Sequence, residues 1–379
     1  MSPRSPTEEH RPPTITEVAR RAGVSTATVS RVLNSNPKVD PVLAARARQA
    51  IEELGYEPSR VARSLRTRTS RVWALIIPDI RNPFFTDTIR GIEDVAHEED
   101  YLIVLCNSES DIGKESGYMK LAVAEHMAGI ILSPASQDTA SALSSAHHKA
   151  VVTFDRRLAL PFDWVGIDSQ LGAEMATDHL IDNGYRRIAC ISGPTNTTTG
   201  ADRLAGYTRA LSRAYDDDTH SLIELGDFGE TCAYEAMQRL LQLKEPPDAV
   251  FTANNLTTLG ALRAIDERGL RVPDDIGVVG FDDLPWAPLV RTPVTTVSQP
   301  TYQLGVETAR LLLSRINGNT GPARTVMLAP SLRVRASSTP REPVSASEDS
   351  VPDRQAHEEG GQPRRVVNGL GTLAKGLPR

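Results

Sequence analysis

The chain has 379 residues, 40% of them apolar, enough for two or three buried cores, so it is not a small scaffold that needs staples; no apolar run approaches the roughly 18 residues of a membrane span, and the first residues lack the apolar core of a secretion signal, so a soluble, unexported chain is expected. Three cysteines, Cys106, Cys190 and Cys232, sit in apolar stretches without a C-x-x-C pair, which reads as buried small hydrophobes in a reducing compartment. The net charge of -6 speaks against a polyanionic partner, but Met1 to Arg71 carries 13 basic against 7 acidic residues and the remainder 29 against 41, so a basic head sits on an acidic body, as either a polyanion-binding module or a solvated charged surface.

In the head, Ile15, Val18, Ala19 and Ala22 fall at helical spacing, and Thr14 with Glu17 predicts a capping box. Gly23 suits the left-handed residue that ends this helix, Ser25 caps a second, and Val29, Val32 and Leu33 give the second an apolar face. Two helices so close make a helix-turn-helix or an ordinary helical hairpin. Between the apolar positions lie Thr26, Ala27, Thr28, Ser30 and Arg31, short side chains and one guanidinium, a surface able to lie close in a DNA groove. Asp40 and Pro41 start a third helix with a Leu43, Ala47, Ile51 and Leu54 stripe, closed by Gly55. The next segment, YEPSRVARSLRTRTS, holds Arg60, Arg63, Arg66 and Arg68 with no acid after Glu57. Its short helical pattern (Val61, Ala62, Leu65) is too brief to stand alone in water. It is either a segment that orders on a partner or a basic interdomain linker.

From Arg71 apolar runs alternate with amphipathic helices: VWALIIPDI, YLIVLCNS, AGIILSP and AVVTFDRR, then RRIACISGP, SLIELG, DAVFTAN and IGVVGFDDL. This alternation predicts parallel sheets covered on both faces. The expected fold is α/β, an all-α helix-turn-helix head followed by a body of two doubly wound lobes. Each strand ends in polar or turn residues, Pro78-Asp79, Asp155-Arg156, Gly193-Pro194, Asn254-Asn255 and Asp282-Asp283. Beyond the carboxyl ends of parallel strands such groups converge on a cleft. Asp168, His147, His148 and His179 lack metal-ligand spacing. No G-x-G-x-x-G, P-loop or G-x-S-x-G stands in a strand-turn-helix context. Neither catalysis, a metal nor a cofactor is expected. Beyond Thr339 the chain is rich in Pro, Glu, Ser and Gly, a composition expected to be disordered.

The run T-I-T-E-V-A-R-R-A-G-V-S-T-A-T-V-S-R-V-L-N, followed by L-G-Y-x-P-S-R-V-A-R-S-L, closely resembles the head of the LacI-GalR family of bacterial transcription regulators. The resemblance extends to about Ser338 through I-S-G-P, R-L-A-G-Y, V-V-G-F-D-D and T-T-V-S-Q-P. It implies a DNA-binding domain over 14–58, a hinge helix and linker over 59–70, a two-lobed effector-binding and dimerisation domain over 71–338, and a tail over 339–379. In the family the second helix enters the major groove, and Thr26, Ala27 and Arg31 match the positions that touch base edges. Arg31 has the fork to pair with guanine O6 and N7, worth about 1 to 3 kcal/mol of discrimination. Thr14, Thr28, Ser30 and Asn34 carry groups suited to fixing register on phosphates. Leu65 matches the leucine that wedges into the minor groove, flanked by Arg63 and Arg66. Leu43 departs from relatives with a hydroxyl residue there, so one phosphate contact is in doubt.

The resemblance also implies a body like a periplasmic sugar-binding protein whose chain crosses between lobes three times. Val72 to about Ser169 with Gln299 to Gly318 would build the first lobe, and Gln170 to Val297 with the final strand the second. Phe84 and Phe85 match aromatic or apolar cleft positions, and Asp155, Arg203, Asn254 and Asp282 its polar contacts, with Trp286 and Gln299 closing the rim. This set suits a sugar, although Phe84 and Phe85 fit core packing equally well. Relatives commonly have A-N-D where Ala253, Asn254 and Asn255 stand, which puts the effector class in doubt. Leu370, Leu373 and Leu377 mimic the leucine spacing of tetrameric relatives, but Gly369, Gly371 and Gly376 interrupt it. The expected function is a cytoplasmic, homodimeric repressor of a pseudo-palindromic double-stranded DNA operator, controlled by a small-molecule effector, a sugar. The rival readings are a sugar-binding module or sugar-processing enzyme of the same shape, or an activator or dual regulator.

Overall fold

The computed structural model describes residues 13–33, 36–56, 70–143, 150–215 and 222–339. Asn34, the 57–69 linker with Arg63, Leu65 and Arg66, the histidine pair His147 and His148, and everything from 340 onward, including the C-terminal leucines, lie outside these residues. Among the described residues no helix is long and apolar enough to cross a membrane.

The head packs three helices, α1 (Ile15–Ala22), α2 (Thr26–Leu33) and α3 (Pro41–Leu54). Thr14 forms the expected capping box: its backbone N–H donates to Glu17 Oε2 at 2.6 Å, and its hydroxyl accepts from the Glu17 N–H at 3.4 Å. Gly23 takes φ 63°, a left-handed conformation in which a side chain is strained. The N–H of Thr28 donates to Ser25 Oγ at 3.1 Å, and Asp40 accepts from Val42 and Leu43 to start α3. The core gathers Val18, Ala19, Ala22, Val29 and Val32 against Ala44, Ala47 and Ala50. Ala47, Ile51 and Leu54 of the expected stripe belong to or pack against this core, which the small Ala44 and Ala50 extend, while Leu43 is only half-buried and not part of it. Arg21 ties α1 to Glu53 of α3 at 2.6 Å.

The body begins with β1 (Val72–Ile77), α4 (Pro83–Glu98), β2 (Leu102–Asn107), α5 (Ile112–Ala124), β3 (Gly129–Leu132), the five-residue α6 (Thr139–Leu143), β4 (Ala150–Phe154) and β5 (Asp163–Ile167). There follow α7 (Ser169–Asp182), β6 (Ile188–Ser192), α8 (Thr198–Ala214), β7 (Leu222–Leu225), α9 (Glu230–Leu241), β8 (Ala249–Thr252), α10 (Asn255–Glu267), β9 (Gly277–Phe281), β10 (Thr295–Ser298), α11 (Thr301–Ile316), β11 (Thr325–Leu328) and β12 (Ser331–Arg333). One sheet has the order β11-β5-β4-β3-β1-β2, all parallel; the other runs β12-β10-β9-β8-β6-β7, parallel except for β12 against β10. The chain passes between sheets after β5, after β10 and after β11, the three crossings expected. The first lobe reaches further than expected, since β11 joins its sheet beyond Gly318. The strand β5 is not among those expected from apolar runs, and it pairs with β4 and β11, buried throughout its length.

In each sheet the chain order reverses beside the first strand, between β1 and β3 and between β6 and β8. Helices cover both faces, and Trp73, Leu75, Phe154, Phe251 and Phe281 fill one continuous core. On the first lobe α4 and α11 touch backbone to backbone: a Cβ on Gly305 would stand 2.1 Å from the Thr88 carbonyl oxygen, and one on Gly91 2.2 Å from that of Tyr302. Gly305→Ala must therefore move a helix. It is expected to cost about 1 to 3 kcal/mol, the range for overpacking, read as a lower urea midpoint with unchanged slope.

Candidate functional site

Two surfaces carry the residues singled out in the sequence. On α2, Thr26, Ala27 and Arg31 are exposed, opposite buried Val29 and Val32. This is the face a groove would meet, and the helix's own apolar spacing sets it there. Thr28 and Ser30 are half-buried, and Thr28 Oγ1 shares a 2.9 Å hydrogen bond with Ser25 Oγ. The Thr14 hydroxyl donates to Glu17 Oε2 at 2.9 Å, so its proton is committed to the cap, and a phosphate contact there would compete with it.

The second surface is a cavity of about 190 Å³ between the lobes, at the carboxyl ends of the strands. Phe84, Phe85 and Asp155 reach it from the first lobe, Arg203, Asn254 and Asp282 from the second. Topology places them: Asp155 follows β4, Asn254 follows β8 and Asp282 follows β9, where β8 borders a reversal of strand order and β4 and β9 stand one strand further from theirs. Phe84 and Phe85 stand in the first turn of α4, edge to face with ring centroids 5.0 Å apart, and both also belong to the core. Packing and cavity lining are one position here.

The backbone is strained at this place. Among the described residues seven non-glycine residues have positive φ, and five of them, Glu109, Ser110, Asp155, Phe228 and Asp282, line the cavity. Left-handed non-glycine residues are costly and persist where surrounding structure holds them, which marks functional sites.

Charge is buried with them. Arg203 donates from Nη1 to the Ala253 carbonyl at 2.6 Å, and its guanidinium lies 3.8 Å from the Phe281 ring centroid. Arg156 donates to the carbonyls of Pro134 and Ala135 at 3.1 and 3.2 Å. The Nε atoms of both arginines are buried without a hydrogen-bond partner among the described residues, donors that a guest in the cleft could satisfy. Burial pushes the Asp155 carboxyl above the ordinary carboxylate range, and Arg203 and Arg156 pull against it. Burial also raises Asp282, opposed by Arg203, by Gln299 and by the Asn255 backbone N–H. Polyhydroxylated molecules match such a lining, since carboxylates accept from hydroxyls and guanidinium groups donate to them.

Two expected rim residues lie elsewhere. Gln299 is buried behind the cavity, where its Nε2 donates to Asp282 Oδ1 at 2.5 Å and so supports a lining residue instead of closing the rim. Trp286 does not line the cavity; its indole packs against the second-lobe cluster of Leu284, Ala287 and Val294, because the chain after β9 folds back onto that core. Phe228 joins the lining without having been expected there, although its loop follows the carboxyl end of β7 and the rule that selects Asp155 applies to it. Its ring lies 5.6 Å from Arg156 and 5.9 Å from Arg203. Asp168 caps α7 and His179 is held by Ser338 Oγ at 2.8 Å, both structural duties. Cys106 and Cys190 are buried as expected, while Cys232 is only partly so.

A helix-turn-helix head joined to a two-lobed body with a cleft defines a DNA-binding regulator with a ligand-binding core. Residues 14–59 match the model of bacterial regulatory proteins of the lacI family, and 177–338 that of a periplasmic binding protein-like domain. The HTH-type transcriptional repressor PurR of Photobacterium profundum is 32% identical over 327 residues, spanning 86% of this chain and 98% of that protein. Among solved structures, a complex of the transcriptional regulator CelR with cellobiose is 36% identical at a TM-score of 0.64, covering 86% of this chain and 99% of that one. A lac repressor dimer bound to operator and the anti-inducer ONPF superposes at a TM-score of 0.78, with 27% identity over 87% of this chain and 100% of the other. The chain belongs to the LacI family of bacterial transcription regulators.

The raised Asp155 carboxyl sets a pH dependence. An acid with its folded pKa above its unfolded one weakens the fold as pH climbs from the ordinary carboxylate value through the raised one, and the loss persists above that. Asn tolerates the φ of 59° at this position, so Asp155→Asn removes the charge without disturbing the backbone. The variant's melting temperature relative to the unmodified protein is expected to become more favourable as pH rises above the ordinary carboxylate value of about 4. A difference that does not change with pH would contradict the raised carboxyl.

Proposed function

We propose that this chain is a homodimeric repressor of the bacterial cytoplasm that holds a pseudo-palindromic operator through 14–58 and a hinge over 59–70, and is switched by a sugar in the cleft of 71–338. The observation that carries the reading is the strained, charged cleft, with Asp155, Arg203, Asn254 and Asp282 around it and Phe84 and Phe85 at its side. Carboxylates and arginines take sugar hydroxyls, and the phenylalanines cover apolar ring faces. Cellobiose in the CelR complex supports the same class of guest.

Exposed apolar residues on the two edge strands support the dimer: Leu102, Val104 and Leu105 on β2, and Ile223 and Leu225 on β7. Edges of this kind seek a covering partner. Two-fold protein symmetry matches a two-fold operator, with one α2 in each half-site. Thr26, Ala27 and Arg31 read bases; Thr28, Ser30 and Asn34, with Thr14 where its cap yields, set register on phosphates; Leu65 wedges the minor groove between Arg63 and Arg66. The sugar acts through its different affinity for two lobe arrangements, a coupling typically of about 1 to 3 kcal/mol.

The test is a gel shift with DNA from upstream of the chain's own gene, with and without a panel of sugars; no shift with any upstream fragment would refute the reading. Arg31→Ala is expected to cost about 1 to 3 kcal/mol and relax preference at one base position. Leu65→Ala is expected to lose operator affinity while keeping weak, salt-sensitive binding to any duplex.

A further inference from the structure

Asn255 is 1% exposed and Asn82 8% exposed, and they meet across the cleft: Asn255 Nδ2 donates to Asn82 Oδ1 at 2.8 Å. Asn82 belongs to the first lobe, where it caps α4, and Asn255 opens α10 of the second. The orientation of both amides is dictated. Asn82 Oδ1 also accepts the Phe84 N–H at 2.9 Å, so the atom facing Asn255 is an oxygen, and the group opposite must be a donor.

Each partner is also tied to the cavity. Asn82 holds the first turn of α4, which carries Phe84 and Phe85; the Asn255 backbone N–H lies near enough to the Asp282 carboxyl to favour its charged form, and Gln299 supports Asp282 at the chain crossing after β10. We propose that the Asn82–Asn255 amide pair is a directional latch between the lobes, which sets how firmly the cleft is closed and passes occupancy of the cavity at Phe84 and Asp282 to the lobe arrangement. This inference rests on the cleft being the regulatory site.

The latch is balanced. One hydrogen bond holds it, while Asn255 Oδ1 is buried without a partner among the described residues, a cost that opening relieves by admitting water. A guest touching Asp282 or Phe84 acts on both ends of a device poised between two states. Aspartate at 255 would set a carboxylate against the Asn82 oxygen and reverse the interaction. Aspartate at 82 would keep an acceptor for both Phe84 and Asn255. The two substitutions add the same charge at the two ends of one bond and act on that bond in opposite directions.

Hydrogen exchange on the full chain, with neither DNA nor sugar, separates the outcomes. Asn255→Asp is expected to speed exchange in peptides covering 83–86 and 255–258 by about tenfold or more, as loss of one charge-opposed hydrogen bond allows, with β1 and β8 unchanged. Asn82→Asp is expected to keep protection near that of the unmodified protein. Asn255→Ala, which removes the donor without adding charge near Asp282, is expected to loosen the same peptides and covers the case in which Asn255→Asp does not fold. Equal loss in Asn82→Asp and Asn255→Asp, or full protection in Asn255→Ala, would overturn the latch. Because the readout needs no operator, a chain that shifted no DNA would sink the functional reading without altering the exchange result, so the two failures are told apart.

Discussion

The buried guanidinium of Arg203 is the constraint on which the cleft depends. A cation out of water is expensive unless paired, and this one draws on both lobes: the Ala253 carbonyl and the Phe281 face in the second, and the nearby carboxylates of Asp282 in the second and Asp155 in the first. Neither lobe alone supplies both carboxylates. With the strand ends facing each other both carboxylates stand near the charge, so closing the lobes adds the first lobe's Asp155 to the compensation that Asp282 begins.

Around that charge the strain has a consistent place. Asp155 and Asp282 leave their strands in left-handed conformations, and Phe228, Glu109 and Ser110 do the same in neighbouring loops. Such a backbone is held by the rigid sheets behind it, where Phe154 and Phe281 are fully buried. The close approach of α4 and α11 through Gly91 and Gly305 adds to that rigidity. A stiff scaffold carrying a strained, charge-rich rim suits a switch, since the lobes can move as bodies while the rim senses a small molecule.

Much of this is legible from residue order because the signals are local. The capping box of Thr14 and Glu17, the left-handed Gly23 and Gly55, and the Asp40-Pro41 start all act within one turn of helix, so no distant contact is needed to read them. Apolar periodicity alone places Thr26, Ala27 and Arg31 on the outer face of α2. Runs such as VWALII and AVFT are apolar almost throughout, as strands covered on both faces must be. The polar residues at their ends mark the cleft by a rule of topology.

What residue order leaves open is decided by contacts between distant segments. Phe84 and Phe85 are evenly divided between core and cleft on sequence, and only the packing of α4 against the sheet makes them both. Trp286 and Gln299 sit near the cleft in the chain but are carried behind it, because the turn after β9 folds onto the second-lobe core and Asp282 needs a donor. Phe228 enters the cleft from an edge-strand loop, and Asn255 finds Asn82 across 173 residues of chain. Local rules determine which segments become helices, strands and exposed faces, since their energies lie within a few residues. Which side chains converge is set by burial and charge compensation among elements that meet only once the lobes are built.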